Sequence, residues 1–117
     1  MPSTLSILVP AFNEATTLGT AVTRILKADT LGLERELVLV DDYSGDSTWD
    51  ILLTLADTHE EVSIHRHSRN LGKGAALRTG VAEAKGEIVL IQDADLEYDP
   101  KDYPSLLRPI VEDKADL

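Results

Sequence analysis

The stretch Glu87-Ile88-Val89-Leu90-Ile91-Gln92-Asp93-Ala94-Asp95 runs four consecutive apolar residues into two acids separated by one alanine. A short, unbroken apolar run of this kind reads as a buried strand. The acids then sit at its C-terminal mouth, where a sheet opens to solvent. Two carboxylates this close repel each other. A hard cation such as Mg²⁺ or Mn²⁺ relieves that repulsion by taking a few carboxylate oxygens and bridging onward to phosphate. The stretch therefore points to a site for a metal and a phosphorylated ligand. The competing reading is a pair of ordinary turn acids, since Asp is common after strands.

The same strand-then-helix order recurs upstream. Leu5-Ser6-Ile7-Leu8-Val9 is a strand closed by Pro10. Leu18, Val22, Ile25 and Leu26 recur at helical spacing and predict an amphipathic helix over residues 14–28. Leu37-Val38-Leu39-Val40 is a second strand without polar alternation, as a sheet covered on both faces requires. Asp46-Ser47-Thr48 offers N-capping side chains to a helix whose core face is Trp49, Leu52, Leu53 and Ala56. Val62-Ser63-Ile64 is a third strand. Residues 72–84 read as a helix packed closely on the sheet through Ala76, Leu77, Gly80, Val81 and Ala84, with Gly86 as its C-cap. The fourth strand covers residues 87–91, and Leu106, Leu107, Ile110 and Val111 mark a last helix.

This βαβαβαβα order, with right-handed crossovers and short connections, predicts an α/β fold: an open, mainly parallel, Rossmann-like sheet with helices on both faces. Such sheets bind ligands beyond the carboxyl ends of their strands, where the strand order switches. Residues 10–14, 41–44 and 93–97 all land there, and each segment carries an acid.

Composition narrows the partners. The chain has 117 residues, 43% of them hydrophobic, enough for one domain with a proper core. With 21 acids against 11 bases the formal net charge is −10, which repels a phosphate backbone and disfavours nucleic acid. A free nucleotide stays compatible, because a bound divalent cation reverses the local sign. There is no cysteine, hence no disulfide and no thiolate metal site. No apolar stretch approaches the ~20 residues that span a bilayer, and the N-terminus does not read as a signal peptide. A soluble, cytoplasmic chain is the expectation.

Each remaining segment has two readings. Asp41-Asp42 is either a turn with Ser44-Gly45-Asp46 or an acceptor for a nucleobase N–H or ribose hydroxyl. In residues 10–14, Asn13 caps a helix and Glu14 complements its dipole, or Phe12 and Glu14 flank a base and sugar. Glu97 adds a third candidate oxygen ligand beside Asp93 and Asp95. Arg69-Asn70-Leu71-Gly72-Lys73-Gly74 enters the third helix without a Walker A pattern, so capping and close packing are expected ahead of phosphate contact. His59, His65 and His67 are expected at surface or edge positions. No serine sits in a GxSxG context.

Taken together, "ILVPAFNE", "VLVDDYSGDST" and "RNLGKGAALRTGVAEAKGEIVLIQDADLEYDP" resemble the nucleotide-binding half of a family 2 glycosyltransferase of GT-A fold, most of all the polyprenyl- and dolichyl-phosphate mannosyl- and glucosyltransferases. The resemblance covers nearly the whole chain. It implies a nucleotide-sugar donor of the GDP-mannose or UDP-glucose type, a Mg²⁺ or Mn²⁺ cofactor, inverting transfer and a lipid-phosphate acceptor. It further implies that Asp93 and Asp95 form the family's DxD, with Glu97 as a further metal ligand. Ala94 then lies by the diphosphate through its backbone. Pro10, Phe12 and Glu14 fall around base and ribose, Phe12 replacing a frequent tyrosine. Val40 and Asp42 match the second strand's end, with Asp42 against the base.

Members of that family are considerably longer than this chain, which ends where they continue with another strand. A truncated, weakly active or inactive nucleotide-sugar-binding part spanning residues 1–117 is the expectation. Within the full-length protein it would lie at the cytoplasmic face of a membrane. Its fourth strand would be left as an exposed apolar edge that a homo-oligomer covers. A non-catalytic nucleotide-sugar-binding or scaffold module is the alternative. A phosphoacceptor receiver domain is disfavoured because the first strand ends in Pro10, and a dinucleotide-binding domain because the first turn lacks GxGxxG.

Overall fold

Strands and helices alternate from end to end: β1 (Thr4–Ala11), α1 (Leu18–Lys27), β2 (Glu34–Asp41), α2 (Thr48–Thr58), β3 (Val62–Arg66), α3 (Lys73–Glu83), β4 (Ile88–Ile91), a 3₁₀ turn (Pro100–Asp102) and α4 (Tyr103–Val111). The computed structural model describes residues 2–95 and 99–112. The sheet is parallel, in the order β3-β2-β1-β4. Strand order therefore reverses between β1 and β4, which places the switch point at their carboxyl ends.

Alternation along the strands sorts the core into two faces. Leu5, Ile7, Val9, Leu37 and Leu39 pack with Leu18, Val22 and Ile25 of α1, Leu52 of α2, and Tyr103 and Leu107 of α4. Leu8, Val38 and Val40 point the other way, against Ala76 of α3. Helix α3 approaches closely because its contact residues are small. A Cβ on Gly80 would come within 3.3 Å of Leu8 Cδ1. The expectation of helices on both faces and of close packing by α3 holds.

Several local expectations need correcting. Strand β1 is not closed by Pro10 but continues to Ala11, with Pro10 opposite Val40 of β2. The Leu8 carbonyl accepts from the Gln92 N–H, so even-numbered residues of β1 aim their backbone groups toward β4. Pairing with β4 ends at Leu8. The N–H that Pro10 lacks would thus face the gap where the two strands part, and no ladder bond is lost.

Helix α1 begins at Leu18, four residues later than periodicity suggests. Residues 13–17 are drawn into loop contacts instead, and Asn13 adopts a left-handed φ of 54°. Leu53, Val81, Leu106 and Ile110, all expected in the core, are exposed. The α2 stripe is centred on Leu52 with Thr48 beside it, which turns Leu53 outward. Val81 lies beyond the α3 stripe of Ala76 and Gly80. On α4, Tyr103 and Leu107 take the core positions.

Gly86 is not a C-cap; α3 ends at Glu83 with Ala84 in an extended conformation. It is glycine for another reason: a Cβ there would sit 2.5 Å from the Ser6 backbone nitrogen. Gly86→Ala is expected to lower stability by about 1–3 kcal/mol, the usual range for overpacking against backbone that cannot yield. A urea titration with an unchanged midpoint would overturn this account. Among the described residues, no helix is long and apolar enough to cross a membrane.

Candidate functional site

The loops after β1, β2 and β4, together with the turn before α3, enclose a cleft of about 470 Å³. That falls within the range of small-molecule sites. Pro10, Phe12, Glu14, Asp42, Asp93, Ala94 and Asp95 all line it. Segments far apart in sequence thus meet at one rim, as the strand order requires. Val40 is not among the lining residues: its side chain is buried beside Leu8, Val38 and Ala76. Glu97 lies outside the described residues.

The two acids ending β2 are separated by the pleat. Asp41 and Asp42 are both buried, at 0% and 3% exposure, so each carboxylate needs compensation. Asp41 turns toward α2, where it accepts from the backbone N–H and hydroxyl of Ser44 and pairs with Arg66 at 3.2 Å. The Arg66 guanidinium in turn lies over the rings of Tyr43 and Trp49, at 5.1 and 5.4 Å. Asp42 turns toward α3. Its Oδ1 accepts from the Leu71 N–H and the His67 ring, and its Oδ2 from the Gly72 N–H, each at 2.8 Å. Burial pushes its carboxyl up, but the donors from Leu71, His67 and Gly72 outweigh burial and hold it below the usual carboxylate range.

Loop-to-loop bonds make the rim rigid. The Asn13 N–H donates to Ser44 Oγ and the Glu14 N–H to Thr48 Oγ1, both at 2.9 Å; the Gly45 N–H returns a bond to Asn13 Oδ1 at 2.8 Å. The capping expected of Asp46-Ser47-Thr48 comes from Asp46, which accepts from the Thr48 N–H. The Thr48 hydroxyl and N–H, with the Ala15 N–H, hold the Asp46 carboxyl below its ordinary range. On the other side, the Thr17 hydroxyl lies 2.7 Å from the Ala94 carbonyl. The Tyr103 hydroxyl donates to the buried Gln92 side chain at 2.8 Å, while burial raises the Tyr103 pKa. The acidic turn at 93–95 is thereby fastened to α1 and α4.

Four carboxylates and one lysine among the lining residues make the cleft acidic. Lys73 Nζ lies 2.7 Å from Asp93 Oδ1. Lys73 opens α3, whose first turn brings the positive end of its dipole to the cleft. Among the described residues, no three acid or imidazole groups gather as a ready cation cage. Asp93 and Asp95 supply two carboxylates. Mg²⁺ is commonly held by one or two, with substrate phosphates and water completing the shell. The donor set therefore fits a hard cation that arrives with a phosphorylated ligand.

Two features were not foreseen. Asn70, Gly72 and Lys73 line the cleft, although capping and packing were expected of that segment. His67 follows the edge strand β3 but is not a surface residue: its side chain is 9% exposed and bridges Asp42 to Thr79. Strand alternation placed His65 and His67 on one face, but no local signal showed that an acid and a hydroxyl from other elements would meet the ring.

An open parallel sheet with helices on both faces and an acidic, loop-bounded cleft at its switch point defines a Rossmann-like fold of GT-A type. Residues 6–117 match the profile of Glycosyl transferase family 2, and the chain belongs to that family. It is 36% identical over 121 residues to the dodecaprenyl-phosphate galacturonate synthase of Rhizobium johnstonii, covering 97% of this chain and 34% of that protein. It is 34% identical over 106 residues to the dolichol-phosphate mannosyltransferase of Pyrococcus furiosus, covering 91% and 30%. Among solved structures it resembles a mannosyltransferase from Pyrobaculum calidifontis in complex with GDP-Man and Mn²⁺. There the TM-score is 0.74 and the identity 31%, over 86% of this chain and 30% of that one. It also resembles S. aureus TarS 1–349 in complex with UDP, with a TM-score of 0.78 and 25% identity, over 93% and 32%. The chain thus spans about a third of the length of the curated relatives it matches, 34% and 30% of them.

Proposed function

We propose that residues 1–117 form the nucleotide-sugar-binding part of a metal-dependent, inverting glycosyltransferase. Its donor is a nucleoside-diphosphate sugar and its acceptor a polyprenyl phosphate at the cytoplasmic face of a membrane. The observation that carries this reading is the convergence of Phe12, Glu14, Asp42, Asp93 and Asp95 on one cleft. It is supported by relatives named for polyprenyl-phosphate sugar transfer and by the likeness to a structure holding GDP-Man and Mn²⁺.

In this reading Phe12, 47% exposed at the rim, offers its ring face to the base. Pro10 and Glu14 flank base and ribose. Asp42 has one acceptor position left on Oδ2 for a base N–H. Val40 supports that wall from beneath. Asp93 and Asp95 hold Mg²⁺ or Mn²⁺, with Glu97 as a further ligand, and the Ala94 backbone lies by the diphosphate. A cation held by these residues would supply positive charge to neutralise the departing nucleoside diphosphate. The acceptor oxygen attacks the anomeric carbon on the opposite face. A phosphate acceptor is already anionic and needs no strong base.

The test is a thermal shift with GDP, UDP and their sugars, with and without Mn²⁺. A ligand at about 100 times its dissociation constant adds about 2.7 kcal/mol. A shift is expected only when nucleotide and cation are both present. No shift with either nucleotide in Mn²⁺ or Mg²⁺ would end the proposal. The chain alone is expected to transfer sugar poorly.

Self-association belongs to the same reading. Among the described residues, strand β4 ends the sheet order, and Val89 and Ile91 are exposed because α3 packs on β1 and β2. An apolar edge of this kind templates pairing with a second chain. Light scattering is expected to report a dimer or larger species at micromolar concentration, and a clean monomer counts against it.

A further inference from the structure

His67 joins three elements that the cleft depends on. It follows β3, its backbone N–H donates to the Asp41 carbonyl at 2.9 Å, and its ring reaches Asp42 on one side and Thr79 on the other. A carboxylate only accepts, so Nδ1 carries the proton that goes to Asp42 Oδ1. In the neutral ring, Nε2 then accepts from the Thr79 hydroxyl at 2.8 Å.

Asp42 is the pivot of this arrangement. The same carboxylate takes the Leu71 and Gly72 N–H groups, and its main-chain carbonyl takes the Asn70 side-chain amide at 3.1 Å. Those bonds hold the segment whose Asn70, Gly72 and Lys73 form one wall of the cleft. Gly72 sits at φ 96°, a conformation that suits glycine and turns its N–H onto Oδ2. Thr79 lies farther along α3, the helix that this segment opens. The chain Thr79–His67–Asp42–Gly72 thus closes a ring between the body of α3, the end of β2 and the start of α3.

Asp, His and hydroxyl in this order also make the proton relay of hydrolases. Thr79, however, is not among the residues lining the cleft, so no bound ligand there would meet its oxygen. The ring's contribution is positional. We propose that His67, anchored by Thr79, is a positioning residue of the nucleotide site: it sets where Asp42 stands and, through Asp42, where the Asn70–Lys73 wall stands. This rests on the nucleotide-binding reading above.

Thr79→Val tests it, because the side chain keeps its shape and touches no lining residue's role directly. The Kd for GDP or UDP in Mn²⁺ is expected to rise about fivefold, the worth of one net hydrogen bond. Thr79→Ser is expected to restore it. Amide hydrogen exchange at Leu71 and Gly72 is expected to speed up in Thr79→Val. In a His67→Phe background the Thr79 substitution is expected to add nothing to Kd, since the relay is already cut. Should His67→Phe not fold, the Thr79 pair still decides.

A purely structural role would lower the melting temperature of Thr79→Val but leave Kd within about twofold, less than one lost hydrogen bond. That outcome overturns the proposal, whatever the exchange at Leu71 and Gly72. Wild-type chain that binds neither nucleotide in Mn²⁺ overturns the nucleotide reading itself, and this inference with it. Binding by wild type and Thr79→Val alike overturns only the inference.

Discussion

Asp93→Asn combined with Asp95→Asn is expected to abolish the Mn²⁺-dependent stabilisation by GDP or UDP while leaving the chain folded. Both halves of that result follow from the geometry. These two acids line the cleft at the end of β4, and Asp93 forms an ion pair with Lys73. Lys73 is 60% exposed there and Asp93 22%, so water screens the pair. Losing such an exposed bridge costs roughly 0–1 kcal/mol. The nucleotide shift, by contrast, should fall from about 2.7 kcal/mol at 100-fold excess over Kd to nearly nothing. Asparagine keeps the size but removes the charge that a hard cation requires. A double variant that still shows a full Mn²⁺-dependent shift would move the metal away from this turn. One that no longer folds would show that the turn is structural.

Asp42→Asn should behave in the opposite way, with stability lost first. The Asp42 carboxylate accepts three N–H donors at a buried position. An asparagine amide has one oxygen, so its NH₂ must face at least one of those donors. The expected cost is about 2–3 kcal/mol, the range for leaving buried polar groups unpaired. The pH dependence follows from the lowered pKa of Asp42. A carboxyl whose folded value lies below its unfolded value of 3.8 stabilises fully above that unfolded value. The contribution is lost as pH falls through the folded value. The gap between wild type and Asp42→Asn in urea is therefore expected to be widest near neutrality and to close in acid. A gap that stays constant down to the acid limit would mean the carboxylate charge is not what the loop needs.

Much of the site was legible because strand ends are legible. Leu37-Val38-Leu39-Val40 and Ile88-Val89-Leu90-Ile91 announce buried strands, and whatever follows them must lie along one rim of a parallel sheet. Strand ends alone thus bring Glu14, Asp42, Asp93 and Asp95 to one rim, and the cleft contains all four. The helices were less legible at their edges. Leu53, Val81 and Leu106 share hydrophobicity with their neighbours, but each lies at the margin of its stripe, where depth depends on how the helix is rolled on the sheet. Residues 14–17 carry helix-compatible side chains, yet the N–H groups of Asn13, Glu14 and Ala15 donate to Ser44, Thr48 and Asp46 around the adjoining loop. Gly86 looked like a cap because glycine commonly is one, whereas its cause is the Ser6 backbone 80 residues away in sequence.

The amino-acid order by itself determined the alternation of strand and helix, the parallel sheet and the acidic rim, since these follow from hydrophobic period and from chain direction. It could not assign Asp41 and Asp42 different duties, join His67 to Thr79, or seat Lys73 beside Asp93. His67 and Thr79 are 12 residues apart, Lys73 and Asp93 are 20, and the Leu71 N–H that Asp42 accepts lies 29 residues on, so no local propensity encodes these contacts. They come into being only when β2, β3 and α3 are packed, because a hydrogen bond depends on angstrom-scale distance and direction that the hydrophobic pattern leaves open.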